Sequence, residues 1–194
     1  MHPIDGCILF ILKGENKFRV RIFKGGVFMK RLKKLLNIPV VEITSGKLIG
    51  TLKDVIYIPP YQSISAIVVE ENSLFKNTKV ISKDYIRKLG EDVAMILKKD
   101  ESHTGYELYK NQSILGAKVI GDGGEEIGII EDIILDDSGL NVLGFEATAG
   151  IVQDLLEGRI FIPYSNNLLF NGNTLMVSNI DDIKNIGGLK NLFK

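Results

Sequence analysis

Val40–Ile56 reads VVEITSGKLIGTLKDVI, and Lys118–Ile134 reads KVIGDGGEEIGIIEDII. The two stretches align without a gap at a spacing of 78 residues. Six positions are identical: Val41/Val119, Gly46/Gly124, Ile49/Ile127, Gly50/Gly128, Asp54/Asp132 and Ile56/Ile134. An internal repeat of this kind indicates two copies of one structural unit.

A second block of matches extends the repeat at a spacing of 81 residues. In this block Lys79–Ser82 aligns with Ile160–Pro163, and Ala94–Leu97 aligns with Leu175–Ser178. The change in spacing predicts a net insertion of three residues between residues 135 and 159.

Each copy has the pattern of a β-structure, because short runs rich in Val, Ile and Thr alternate with turn signals. We predict strands at 39–43, 48–57, 64–70, 78–82, 92–97, 117–121, 126–135, 140–147, 159–163 and 174–178. Gly50 and Gly128 fall inside strands, where glycine marks a bulge or a sharp bend. Such a bend suits a sheet that coils into a small barrel, and we expect two such small units to pack on one another.

The repeated pattern resembles the PRC-barrel family. It runs from Leu35-Leu36 to Asp54 in the first copy and from Ile114-Leu115-Gly116 to Asp132 in the second. The family's fold occurs in the cytoplasmic part of the photosynthetic reaction centre H subunit and in the C-terminal domain of a ribosome maturation factor. The resemblance implies an all-β protein of two tandem small PRC-like β-barrels with short helical insertions. It implies no catalytic residue, because the family is a scaffold fold with unrelated tasks.

The repeat also predicts the domain boundaries. We expect a first PRC-barrel domain at 30–100, a polar link around 98–112, a second PRC-barrel domain at 111–183 and a C-terminal tail at 184–194. Residues 1–28 are expected to be a non-native leader, because Lys24–Val27 can be encoded by a purine-rich ribosome-binding sequence just before Met29. A genuine N-terminal strand pair is the alternative for these residues.

The 194 residues have a net charge of zero, but the charge is unevenly distributed. Residues 30–100 carry thirteen Lys/Arg against eight Asp/Glu, whereas residues 101–194 carry six against fourteen. A basic first half and the basic segment Met29–Leu36, MKRLKKLL, favour an anionic partner such as the ribosome or RNA as one alternative. The longest apolar run, Cys7–Leu12, is too short for a membrane helix, so we expect no transmembrane segment. A single cysteine fits a reducing compartment, and we expect a cytoplasmic, bacterial protein.

Motifs for chemistry are missing from the sequence, including a serine nucleophile elbow and a phosphate-binding loop. We expect Asp54 and Asp132 to accept backbone N–H groups at a bend. The acidic clusters at 122–126 and 136–137 lack the spacing of a calcium loop and are expected to be turns. We therefore predict a non-enzyme with no catalytic residue, no cofactor and no metal. An enzyme or small-ligand sensor with a site between the barrels is the alternative.

The inserted stretch in the second copy, Gly150–Arg159, predicts a two-turn amphipathic helix that ends at Gly158. Its candidate interaction residues are Ile151, Val152, Leu155 and Leu156 on one apolar arc, together with Arg159 at the start of the next strand. The apolar arc either closes its own barrel or meets a protein partner or another copy of the chain in a homo-oligomer. We expect Val152 and Leu156 to turn inward, with Ile151 and Leu155 nearer the rim. The predicted function is a scaffold or adaptor that binds another macromolecule.

Overall fold

The computed structural model describes residues 9–14, 17–22, 29–58, 61–72, 77–97, 113–165, 167–178 and 183–187. Cys7 and the polar link expected around 98–112 lie outside these described residues. Strands β1 (Leu9–Gly14) and β2 (Lys17–Ile22) pair with each other in a separate two-stranded sheet. The expectation that residues 1–28 are a leader stays a prediction.

The first half forms a six-stranded sheet. The elements of the first half are, in chain order, β3 (Lys30–Arg31), helix α1 (Leu32–Leu35), β4 (Pro39–Glu42), β5 (Leu48–Tyr57), β6 (Ile64–Glu71), β7 (Thr78–Ser82), a 3-10 turn (Lys83–Tyr85), β8 (Ile86–Leu89) and β9 (Ala94–Ile96). The sheet consists of β4 to β9. The strand order is β7-β6-β5-β4-β9-β8. Strands β4 and β9 run parallel, and the other neighbours run antiparallel.

The second half repeats this order. Its elements are β10 (Lys118–Gly121), β11 (Glu126–Leu135), β12 (Val142–Thr148), helix α2 (Ile151–Glu157), β13 (Arg159–Pro163), β14 (Leu169–Phe170), β15 (Thr174–Val177) and β16 (Lys184–Ile186). Six strands follow the order β13-β12-β11-β10-β15-β14, in which β10 and β15 are the parallel pair. Strand β16 adds to the outer edge of β13, and β3 pairs with β11.

The prediction of an all-β protein is therefore confirmed, but strand pairing does not close either sheet into a barrel. Among the described strands, the first sheet ends at β7 and β8, which are not paired with each other. In the second sheet β13 pairs with β16 rather than with β14. Because β16 belongs to this sheet, residues 184–186 are not part of the predicted C-terminal tail.

All ten predicted strands are present, and their ends agree to within two residues. The two-residue strands β3 and β14 and the short strands β8 and β16 were not predicted. Such short segments carry too little alternation to be recognised as strands.

The structure corrects the gap-free alignment by one residue. Val40 lies opposite Gly50 in the first sheet, and Val119 lies opposite Gly128 in the second. Val119 is therefore equivalent to Val40 and not to Val41. The gap lies in the turn that follows, which is one residue longer in the first half.

The bulges expected around Gly50 and Gly128 are present. The register of β4 on β5 shifts next to Gly50, and that of β10 on β11 shifts next to Gly128. A side chain at Gly50 would collide with the carbonyl oxygen of Glu70, and one at Gly128 would collide with that of Thr148. Both glycines therefore allow the neighbouring strand to approach closely.

One hydrophobic core extends through both halves, as expected from their small size. The largest cluster of buried side chains runs from Leu32 in the first half to Val177 in the second. The rings of Tyr57 and Phe145 meet within it, with centroids 5.6 Å apart. Burial of this size is the main term that stabilises a fold.

Equivalent backbone positions also meet where the two halves join. Ile64 lies opposite Tyr57 just as Val142 lies opposite Leu135. The Ile64 N–H donates to the Leu140 carbonyl (3.0 Å), and the Val142 N–H donates to the Gln62 carbonyl (2.6 Å). This reciprocal exchange is the pattern of a local two-fold axis between the halves.

Candidate functional site

Helix α2 is the distinctive feature of the second half. It occupies the connection between β12 and β13, where the repeat spacing predicts an insertion, and it runs from Ile151 to Glu157 as a helix, as predicted. Gly150 and Gly158 flank it with φ angles of 112° and 90°. These angles favour glycine over other residues, so the sequence sets both ends of the helix.

The apolar arc of α2 is exposed to solvent. The exposed fractions are 89% for Ile151, 72% for Val152, 61% for Leu155 and 41% for Leu156. The expectation that Val152 and Leu156 turn inward is therefore wrong. The arc does not close the second sheet, and it forms a compact apolar surface that we call the α2 face (Ile151, Val152, Leu155 and Leu156).

The polar side of α2 is the side that is anchored to the protein. The Asp154 carboxylate accepts hydrogen bonds from the Thr148 hydroxyl (2.6 Å) and the Ala149 N–H (3.2 Å). The Thr148 hydroxyl oxygen accepts a bond from the Gly150 N–H (3.0 Å). Because Asp154 binds the end of β12, the opposite, apolar arc of the helix is turned outward.

Arg159 is the first residue of β13, as predicted, and it belongs to an ion-pair network rather than to the α2 face. Its guanidinium pairs with Glu131 and with Glu146, the latter at 3.0 Å. Burial acts to lower the pKa of Arg159, but the hydrogen bonds and charges of the two glutamates raise it above its usual value. The Arg159 Nε also lies 4.0 Å from the Asp154 carboxylate, so Arg159 ties α2 to the sheet.

The basic segment 29–36 is largely occupied by contacts within the protein. Lys30 is buried and donates to the carbonyls of Leu89 (2.8 Å) and Asp137. Arg31 pairs with buried Glu146 at 2.6 Å, and Lys33 lies 3.7 Å from Glu131. These contacts attach the start of the first half to the second half, and they leave few of the segment's cations for an anionic partner.

Asp54 and Asp132 act as backbone acceptors at bulges, as predicted. Asp54 accepts from the Val55 N–H (2.8 Å), and Asp132 accepts from the Ile133 N–H (2.9 Å). Burial raises the pKa of both carboxyls. Asp132 additionally accepts from the Lys33 N–H (3.0 Å) in the first turn of α1, a contact between distant residues that sequence spacing does not reveal.

The acidic clusters form turns at opposite ends of the second sheet. At 121–125 the Gly121 N–H donates to the Glu125 carbonyl and closes a tight turn. Within 136–141 the Asp136 carboxylate accepts from Ser138 and Asn141. Burial acts to raise the pKa of Asp136, but these hydrogen bonds hold it below its ordinary value. The 136–141 end meets the first half, where the Ile64 N–H donates to the Leu140 carbonyl and the Leu89 N–H donates to the Ser138 carbonyl.

Two more exposed apolar residues lie near α2. Ile129 on β11 pairs in register with Thr148, close to the start of the helix. Ile186 on β16 pairs with Arg159, just after the helix ends. Sequence spacing does not reveal these residues, because only the sheet register brings them to the same end as α2.

The described parts of the chain lack both a metal-binding cluster and a membrane-spanning helix. They contain no group of three or more His, Cys, Asp or Glu side chains arranged to hold a metal ion. Neither α1 nor α2, their two α-helices, has the length and apolar character needed to cross a bilayer.

Comparison with known proteins gives a family match in the second half. No curated protein matches the chain. Residues 107–186 match the family model of the PRC-barrel domain, a range that contains β10–β16 and the α2 face. This part of the chain is thus similar to the PRC-barrel domain.

Proposed function

We propose that the protein is a non-enzymatic, cytoplasmic adaptor of two tandem PRC-like units that binds another protein through the α2 face. The observation that carries the proposal is the exposure of all four apolar side chains of the helix. Contiguous apolar surface on a folded protein marks an interaction site when it is presented by an ordered element.

The anchoring of α2 supports this function. A helix of two turns is not stable by itself, and the bonds from Asp154 to β12 hold it in place without burying its apolar arc. A partner therefore meets a preformed surface and loses little free energy to ordering. Complete burial of one such side chain stabilises a complex by about 1.5–3 kcal/mol, so four of them make an effective anchor.

The tandem arrangement is supported by strand order. The family match covers the second half, and the first half has the same order of six strands with an equivalent parallel pair. We therefore assign the first half to the same fold and regard it as the scaffold on which the second half is mounted.

The alternatives have less support. Binding of RNA or the ribosome through the basic segment competes with the ion pairs of Arg31 and Lys33. A small-ligand or catalytic site between the halves is disfavoured because packed core side chains fill that region, where Tyr57 packs on Phe145.

The test compares two substitutions that add the same charge to opposite sides of α2. Leu155→Asp places a carboxylate in the α2 face, and Gln153→Asp places one on the polar side of the helix. With immobilised full-length protein and lysate of the source cells, we expect Gln153→Asp to retain the proteins that the parent captures and Leu155→Asp to lose them. Equal capture by both variants would refute the proposed function.

A further inference from the structure

We infer that the α2 face binds a basic protein surface that contributes apolar side chains. This inference rests on the proposed function and specifies the chemistry of the partner. It follows from the charges that surround the α2 face at its end of the second sheet.

Exposed carboxylates cluster at that end. The turn between β10 and β11 carries Asp122, Glu125 and Glu126, all exposed. The turn lies beside α2, because Gly128 near the start of β11 packs against Thr148 and Ala149, just before the helix. The rim of the α2 face is therefore acidic on this side.

Two of the cations in this neighbourhood are already paired with carboxylates. Lys118 lies 3.0 Å from Glu126, and Arg159 pairs with Glu131 and Glu146. By contrast, Asp122 and Glu125 form no ion pair with any residue in the described ranges. The local excess of negative charge agrees with the whole of residues 101–194, which carry fourteen acidic against six basic side chains.

The position of the α2 face leaves it open to a large partner. The first half meets the second at the 136–141 end of the sheet and also along β11 and β12, where Lys33 pairs with Glu131 and Arg31 with Glu146, whereas α2 follows the other end of β12. With the first half in place, the side chains of the α2 face remain 41–89% exposed. The first half therefore does not obstruct the approach to α2.

An acidic rim selects among partners by charge. Nucleic acid and anionic membranes are repelled by it, and two copies meeting through the same face would bring acidic rims together. A basic protein surface is attracted, and the apolar anchors then provide affinity after encounter. Such an interaction weakens as salt screens the exposed charges.

The test uses two synthetic helical peptides as probes, one made of Leu and Lys and one in which every Lys is Glu. Binding to the full chain is measured by fluorescence anisotropy. We expect the Leu/Lys peptide to bind at least tenfold more tightly than the Leu/Glu peptide at low salt. Equal or tighter binding of the Leu/Glu peptide would overturn the inference.

Variants then locate the interaction. Asp122→Lys/Glu125→Lys reverses two rim charges, and Glu91→Lys/Asp92→Lys makes the same change on an exposed turn of the first half. We expect the rim variant to weaken Leu/Lys binding at least fivefold more than the control, and Leu155→Ser to weaken it as well. Equal effects of the two charge reversals would overturn the inference.

The proposed function and this inference are tested by separate outcomes, so that either can fail without the other. If Leu155→Ser binds the Leu/Lys peptide as the parent does, the peptide binds elsewhere and the inference is overturned. The adaptor function is then decided by the lysate comparison of Leu155→Asp with Gln153→Asp, which makes no assumption about the partner's charge.

Discussion

The two halves of the molecule share a strand order but differ at the connection between their third and fourth common strands. In the first half residues 72–77 link β6 to β7, whereas in the second half residues 149–158 link β12 to β13 and contain α2. The core and the bulges are common to both halves. The longer connection of the second half thus carries α2 at one end of its sheet, while the strand order of the two halves is the same.

The aspartates at the bulges are equivalent in the two halves, but the one in the second half makes an additional contact. Asp54 accepts a hydrogen bond from one N–H of its own strand, whereas Asp132 accepts one from its own strand and another from the first turn of α1. The second half therefore holds the beginning of the first half in place, while the first half offers no equivalent contact at Asp54 within the described residues.

The largest expected effect tests whether the two halves form one unit. Phe145→Ala removes a fully buried ring that packs on Tyr57 of the other half. We expect a loss of about 3–5 kcal/mol in the free energy of unfolding, with a single transition in denaturant followed by circular dichroism. Two separate transitions, only one of them shifted, would show that the halves are independent.

A smaller effect is expected where the first half begins. Lys30→Met removes the donor to the Leu89 and Asp137 carbonyls. We expect a loss of about 1–3 kcal/mol in the free energy of unfolding, because these carbonyls lose a buried hydrogen-bond donor. The matched control, Lys34→Met at an exposed position, is expected to change it by less than about 0.5 kcal/mol. A loss no larger than the control's would show that Lys30 does not join the halves.

The comparison of the two aspartates gives the next prediction. Asp132→Ala should destabilise the protein by about 1 kcal/mol more than Asp54→Ala, because it removes one further hydrogen bond, at a helix start. Urea unfolding measures both. Asp132→Asn is the control, since it keeps an oxygen acceptor and removes the buried charge, and it should be less destabilising than Asp132→Ala. Equal effects of Asp54→Ala and Asp132→Ala would contradict the additional role of Asp132.

The smallest effect is expected for the first 28 residues. Strands β1 and β2 pair only with each other among the described strands, so a chain that begins at Met29 should unfold at nearly the same denaturant concentration as the parent. A loss above about 2 kcal/mol, the size expected when core side chains are removed, would show that these residues belong to the fold.

Much of this architecture is predictable from sequence because the same pattern of strands and glycines occurs twice in the chain. The long strands β5 and β11 follow from alternation and from their glycines, and α2 follows from its apolar spacing and flanking glycines. The direction of the α2 face did not follow. Amphipathic spacing separates the two sides of a helix, but it does not tell which side is anchored, and here the bonds of Asp154 decide it.

Other features depend on contacts between distant residues. Pairing of β3 with β11 and of β16 with β13 involves two or three residues on one side, too few for a period to appear. The basic segment 29–36 looked like a solvated or anion-binding run, yet Lys30 is buried and Arg31 and Lys33 are paired. Their partners lie between about 60 and 115 residues away in the sequence, and only the fold brings them together.

The measurement that tests the central claim most directly is the free energy of unfolding of Leu155→Asp. Because Leu155 is 61% exposed and the α2 face lies outside the core, we predict a change within about 0.5 kcal/mol of the parent, as for other surface substitutions. A loss of about 2 kcal/mol or more would be the result expected of a buried leucine, and it would contradict the assignment of the α2 face as a surface for a partner.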